Sequence, residues 1–272
     1  MDVSHLLLQV TGHINWMTPA GRSKEYVSKI VAELGSKAQC DRPIKSITRS
    51  KDPVTGADMI TAVEQNGEIS TYDNVVFTCH PDEVLTILGD DATDLEKQAV
   101  GSFKYSPNNT YVHTDKALMP KAKSAWTSWN YLGNSKATGD EKPVFVTYWL
   151  NKLQKLNHPT DIFVSLNPST PPAADKILKK MVYTHPQYTQ ESVAGQKKVV
   201  ELQGLQGTYF CGAWMGYGFH EVRRRQQFVV YLLKHEDTIL RLSMYVAKIS
   251  QKLKKNVVFF LTFLLLDDLI YF

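Results

Sequence analysis

A mixed α/β fold is predicted by three features of this 272-residue chain. Residues 73–79 hold a continuous apolar run around Val75-Val76-Phe77, the mark of a strand buried on both faces. Residues 21–34 place Tyr26, Val27, Ile30, Val31 and Leu34 at the three- and four-residue spacings of one helix face. Aromatics and β-formers alternate between about 100 and 170, which suggests an antiparallel sheet with one specialised face.

Each element has a local signal. Gly35 stops the first helix. Pro43 to Ile47 opens a strand, and Asp52-Pro53-Val54-Thr55-Gly56 turns the chain. Met59 to Val63 and Ile69 to Tyr72 form a hairpin around Asn66-Gly67. His80-Pro81-Asp82 ends the buried strand, and a helix starts at Glu83 and runs to Leu88. Strands are expected at 111–113, 125–131, 144–150 and 161–166, with a short helix or turn at 151–156 and a break at Pro168, Pro171 and Pro172. Thr208 to Ala213 is a short strand that enters a glycine-rich turn.

With 43% hydrophobic and 21% charged residues, the chain can bury a core, and global disorder is excluded. Cys40, Cys79 and Cys211 are odd in number and far apart, so free thiols in a reducing, cytoplasmic setting are expected rather than a zinc site or redox dithiol. The net charge of +4 misleads. Residues 222–272 carry nine basic and four acidic side chains, which leaves the first 221 residues at −1 and gives no nucleic-acid-binding charge on the main body.

The strongest chemical feature is the turn Gly212-Ala213-Trp214-Met215-Gly216-Tyr217-Gly218-Phe219-His220-Glu221. A strand that ends in glycines and feeds a helix offers free amides to a phosphate or an electron-rich ring edge. Spacing alone leaves two readings open: a cofactor turn with flat contacts from Trp214, Tyr217 and Phe219, or a structural turn with an aromatic plug. Glu221 stands where a dinucleotide fingerprint would place its third glycine. His113 and Asp115 are expected as a hydrogen-bonded pair on one strand face, and no metal spacing is complete. Hydrolase-elbow and phosphate-loop motifs are absent from the sequence. Trp126, Trp129, Tyr131, Tyr148 and Trp149 either line an apolar substrate pocket or form core.

Six segments, taken in order, resemble the flavin-containing amine oxidase superfamily. They are residues 6–10, 16–27, 73–80, 113–120 (through His113-Thr114-Asp115 and Met119-Pro120), 125–131 and 209–221. Within the superfamily they look most like the branch of FAD/NAD(P)-binding oxidoreductases that in plants is fused ahead of a cyclopropane fatty acid synthase. The resemblance implies an FAD-dependent enzyme with a Rossmann-like domain built from separated segments and an inserted antiparallel-sheet substrate domain. On that reading 1–84 and 201–221 belong to the FAD domain, 85–200 to the substrate domain, and 222–272 is a divergent basic and apolar tail. Ile44 stands where the family contacts the adenine, Gly212 and Ala213 near the ribityl chain and pyrophosphate, and Gly216, Tyr217, Gly218 and Phe219 beside the flavin ring. The family's opening strand and G-x-G-x-x-G turn have no counterpart here, Ala20-Gly21 replaces its paired glycines, and Val222-Arg223-Arg224-Arg225 replaces its Asp-Gly continuation. A truncated copy, impaired in activity, is therefore the expectation.

The implied reaction is hydride transfer to flavin from an amine or an apolar, lipid-like substrate. No side chain is assigned as catalytic. The alternative is a non-catalytic fragment or a peripheral membrane module. In the tail, Val257 to Leu266 would span only about 15 Å as a helix, half the hydrocarbon thickness. With Lys252, Lys254 and Lys255 beside it, the tail suits weak attachment to an anionic lipid surface instead.

Overall fold

A computed structural model describes residues 20–131 and 145–216, together with the backbone of 257–260. It is mixed α/β with three sheets. Helix α1 (Arg22–Leu34) ends at Gly35, whose φ of 56° is easy only for glycine. Its apolar stripe forms as the spacing predicts, yet none of its residues is buried. Strands β1 (Ile44–Lys51), β2 (Asp58–Glu64) and β3 (Ile69–Tyr72) make an antiparallel meander. In the first turn, Oδ1 of Asp52 accepts from the amides of Val54 and Thr55. In the second, Gly67 takes a φ of 87°.

The expected buried strand is β4 (Asn74–Phe77), buried at all four positions. It is the centre of a parallel sheet, between β10 (Thr208–Phe210) and β11 (Val257–Phe260). Parallel neighbours on both sides and layers on both faces explain why no polar alternation appears. Four residues of the apolar tail run thus have their backbone paired to β4 as a strand, a role that the helix-length argument did not consider.

Helices α2 (Pro81–Leu88), α3 (Asp94–Val100) and α5 (Gln190–Leu202) complete the core with the first two sheets. Phe77 and Phe210 stack at 5.9 Å among Ile47, Ile60, Val84, Val100, Val199 and Trp214. Arg49 on β1 ties the layers electrostatically. Its guanidinium, 4% exposed, meets Glu96 in a fork (2.6 and 3.0 Å), Asp91 (2.6 Å) and the hydroxyl of Thr208 (3.4 Å). Helix α5 approaches α3 closely because position 195 is glycine; a Cβ there would lie 1.9 Å from Oγ of Ser102.

Between β4 and β10 the chain builds the expected antiparallel sheet, ordered β6-β7-β8-β5-β9. Its strands are β5 (Lys104–His113), β6 (Trp129–Tyr131), β7 (Val146–Trp149), β8 (Phe163–Leu166) and β9 (Ile177–Gln187), with the short helix α4 (Leu150–Leu153) after β7. The strand expected over 125–131 shrinks to its last three residues. Lys123–Ala125 is a 3-10 turn, and Nε1 of Trp126 donates to the carbonyl of Pro120 at 2.7 Å, folding the segment back before β6. Strand β9 and helices α3 and α5 were not anticipated.

Candidate functional site

The carboxyl ends of parallel strands are where α/β sheets place ligands. Here the ends of β4 and β10 lie side by side, joined beyond the strands by the amide of Cys211 donating to the carbonyl of Phe77 (2.8 Å). From β4 the chain continues through Cys79 and His80 into α2; from β10 it continues into Gly212 and the 3-10 turn Ala213–Met215. Both glycine-turn and imidazole therefore stand on one edge.

Gly212, Ala213, Trp214 and Gly216 are contiguous on this edge. Trp214 is 3% exposed. Its Nε1 donates to the carbonyl of Cys79 (3.2 Å), and its ring meets Phe103 edge-on at 4.7 Å. Gly212 is extended, and its lack of a side chain serves this packing: a Cβ would lie 2.4 Å from Nε1 of Trp214. The room at Gly212 is thus occupied by the chain's own indole. Ala213 is exposed and Gly216 is half-buried. Tyr217, Gly218 and Phe219 lie outside the described residues, as do His220, Glu221, His5 and His13. Ile44 packs against the same core as Trp214, at the end of β1 remote from the Arg49–Thr208 contact, and no described contact joins it to the turn.

Two side chains that sequence reasoning missed hold the turn. Nε2 of Gln196 on α5 donates to the carbonyls of Trp214 (3.0 Å) and Gly216 (2.9 Å). Gln203 accepts from the amide of Phe210 and donates to its carbonyl, both at 2.9 Å, as a neighbouring strand would. Neither position has a sequence signal: Gln196 acts on residues eighteen and twenty positions away, and Gln203 bonds a strand residue seven positions on without belonging to a cap or turn motif.

The other side of the edge is aromatic and titratable. His80 stacks on Tyr105 at 4.3 Å, and its Nδ1 lies 3.4 Å from Oγ1 of Thr184. Burial lowers the pKa of His80 and raises that of the Tyr105 hydroxyl, which has no hydrogen-bond partner among the described residues. Burial also pushes the thiols of Cys79 and Cys211 up to about 12, so neither is a thiolate at neutral pH.

The remaining candidates sit in the antiparallel sheet. His113 is fully buried. Its Nδ1 accepts the amide of Asp115 (3.1 Å), which leaves the proton on Nε2, 2.8 Å from Oγ of Ser165. Ser165 in turn lies 2.7 Å from Oγ1 of Thr147. An imidazole that donates to the serine cannot act as its base, so this row is a structural relay. The expected side-chain pairing of His113 with Asp115 is replaced by that backbone contact; the Asp115 carboxylate instead accepts from Ala117, Ala173 and Lys176. Trp126 and Trp149 meet edge-on at 5.3 Å over Phe163, within the core. On the sheet face opposite Trp149, Trp129 and Tyr131 are 58% and 62% exposed, and half-buried Tyr148 meets the Trp129 ring edge-on at 6.4 Å. Among the described residues no group of three or more His, Cys, Asp or Glu gathers as a metal site, and no helix is long and apolar enough to cross a membrane.

No protein-family profile matches the sequence, and no curated protein matches it. Solved structures do. A CLA-producing fatty acid isomerase from P. acnes aligns at 15% identity with a TM-score of 0.43, over 64% of this chain and 43% of that one. Reduced UDP-galactopyranose mutase aligns at 13% identity with a TM-score of 0.41, over 70% of this chain and 47% of that one. The chain thus spans less than half the length of either protein.

Proposed function

We propose that this chain is a flavin-binding oxidoreductase of the amine oxidase type. The observation that supports the reading most is topological. Strand β10 returns after the whole antiparallel sheet to lie parallel to β4, and the glycine turn follows it at the shared carboxyl edge. That is where a Rossmann-like domain made of separated segments would hold FAD, with the antiparallel sheet as the substrate domain.

The described residues fit the group in part. Ala213 and Gly216 lie at the surface of the turn, and the clamp from Gln196 fixes its backbone. At Gly212 the space is taken by Trp214, so this position serves the turn's own packing. The G-x-G-x-x-G phosphate turn is absent from the sequence. When bound, FAD supplies the redox chemistry, accepting a hydride from a carbon beside nitrogen or from an apolar C–C bond. The chain's own part is to present the Ala213–Gly216 backbone and to exclude water through the packed aromatic layer of Phe103 and Trp214.

The test is FAD titration of the purified full chain, followed by flavin fluorescence and absorbance. Quenching on binding is expected, and Ala213→Asp should weaken it roughly tenfold, because a carboxylate beside the nucleotide repels it across a surface-like dielectric. A folded, colourless protein that leaves FAD fluorescence unchanged refutes the proposal. The self-filled Gly212 favours a second reading, a non-catalytic module in which the turn is structural; a sub-micromolar Kd for FAD removes that reading.

A further inference from the structure

One rim of the antiparallel sheet concentrates positive charge. Lys116 and Lys123 converge on Asp161 at 3.1 and 3.6 Å. The Lys123 ammonium also stands over the rings of Trp126 (5.3 Å) and Trp149 (6.0 Å). Lys152 donates to the carbonyl of Trp126 at 3.4 Å. Lys121 and Lys155 are exposed on the same two segments. Residues 116–129 and 150–161 together hold these five lysines, no arginine, and Asp161 as their one carboxylate. Asp115, beside the rim, is already paired with Lys176. A local charge of +4 therefore stands on a body that is −1 over its first 221 residues, so the charge is segregated rather than spread.

Large apolar side chains are exposed along the same segments. Trp129 is 58% exposed, Leu153 38%, and Tyr131, two residues beyond Trp129 on the same face of the edge strand β6, 62%. The two segments are tied together: the carbonyl of Ser128 accepts from the amide of Trp149, just before the second segment, and the carbonyl of Trp126 accepts from the Lys152 ammonium. Indole and phenol rings prefer the headgroup level of a bilayer, and lysines reach from apolar stems to lipid phosphates. Nucleic-acid surfaces favour arginine forks for bidentate contacts, and this rim has none.

We propose that this rim docks the protein on an anionic bilayer surface, with Trp129 and Leu153 entering the headgroup layer and Lys116, Lys121, Lys123, Lys152 and Lys155 facing lipid phosphates. The proposal does not depend on flavin binding.

The full chain is sedimented with vesicles of phosphatidylcholine alone and with vesicles of equal parts phosphatidylcholine and phosphatidylglycerol. Binding is expected only to the second, with loss at high salt. Each lysine near an anionic surface is worth about fivefold, so Lys121→Gln, Lys123→Gln and Lys152→Gln together should weaken binding roughly a hundredfold. Trp129→Ala, which removes a largely exposed ring that meets Tyr148 edge-on at 6.4 Å, should weaken binding at all salt concentrations. Near-ultraviolet dichroism of the packed Trp126–Trp149 pair verifies the fold of each variant. Undiminished binding by the folded triple variant overturns the proposal, since attachment then runs through the tail. Equal binding to both vesicles, or displacement from vesicles by single-stranded oligonucleotide, overturns it as well.

Discussion

Acidification should destabilise this protein through His113. His113 is fully buried, with Nδ1 and Nε2 both engaged by neutral partners, and burial lowers its pKa to about 4. The nearby Asp115 charge opposes that shift and loses to desolvation. In the unfolded chain the imidazole titrates near 6.5. Between those values the unfolded state binds more protons than the folded one, so stability falls as pH drops through the window and is fully present above it. With 1.36 kcal/mol for each pH unit in the window, the loss reaches roughly 3 kcal/mol by pH 4. The assay is urea unfolding of the wild type and His113→Gln at intervals between pH 4 and 7.5. Glutamine keeps a donor for Ser165 but does not titrate, so at neutral pH it should cost about 1–3 kcal/mol for the lost acceptor of the Asp115 amide. The gap between the two proteins should then close or invert by pH 4. Burial also lowers the pKa of His80 and His185, and both variants share that contribution. Parallel stability curves across the window, or a His113 resonance that titrates near 6.5 in the folded protein, would refute the reasoning.

Two further outcomes follow from the same packing. Under native conditions at neutral pH, only Cys40 should react quickly with a disulfide reagent, because Cys79 and Cys211 are buried and protonated; all three should react in denaturant, and rapid native reaction of all three would contradict the fold. Arg49→Ala should cost about 3–5 kcal/mol in chemical unfolding, since it strands the buried Glu96 carboxylate, and pairing it with Glu96→Gln should recover part of the loss.

Local signals carried those elements whose reasons are local. The turn at Asp52, the hairpin at Asn66-Gly67 and the stop at Gly35 rest on side-chain and φ preferences within a few residues, and each appears where the sequence places it. Helix α3 was missed although its signal is equally local: Thr93 and Glu96 form a reciprocal cap, and T-x-x-E is its signature. Strand β9 was hidden because Lys179, Lys180 and Pro186 break the apolar pattern, as suits an edge strand. Helix α5 was hidden because its buried face consists of Ser192, Gly195, Val199 and Leu202, two of them small.

The candidate edge was only half legible. Composition and spacing singled out Gly212 to Gly216, but two uses of the turn remained open. Tertiary contacts show Trp214 turned inward over Gly212, Gln196 clamping the carbonyls, and His80 with Tyr105 across the edge. By itself the sequence determined the apolar run of β4, the alternation of the inserted sheet and the near-neutral charge of the body, because periodicity and charge are properties of the chain. Only the tertiary structure decided that β10 lies parallel to β4, where the Trp214 ring points and which lysines share a rim. Those are relations between segments far apart in sequence, set by packing that no local preference encodes.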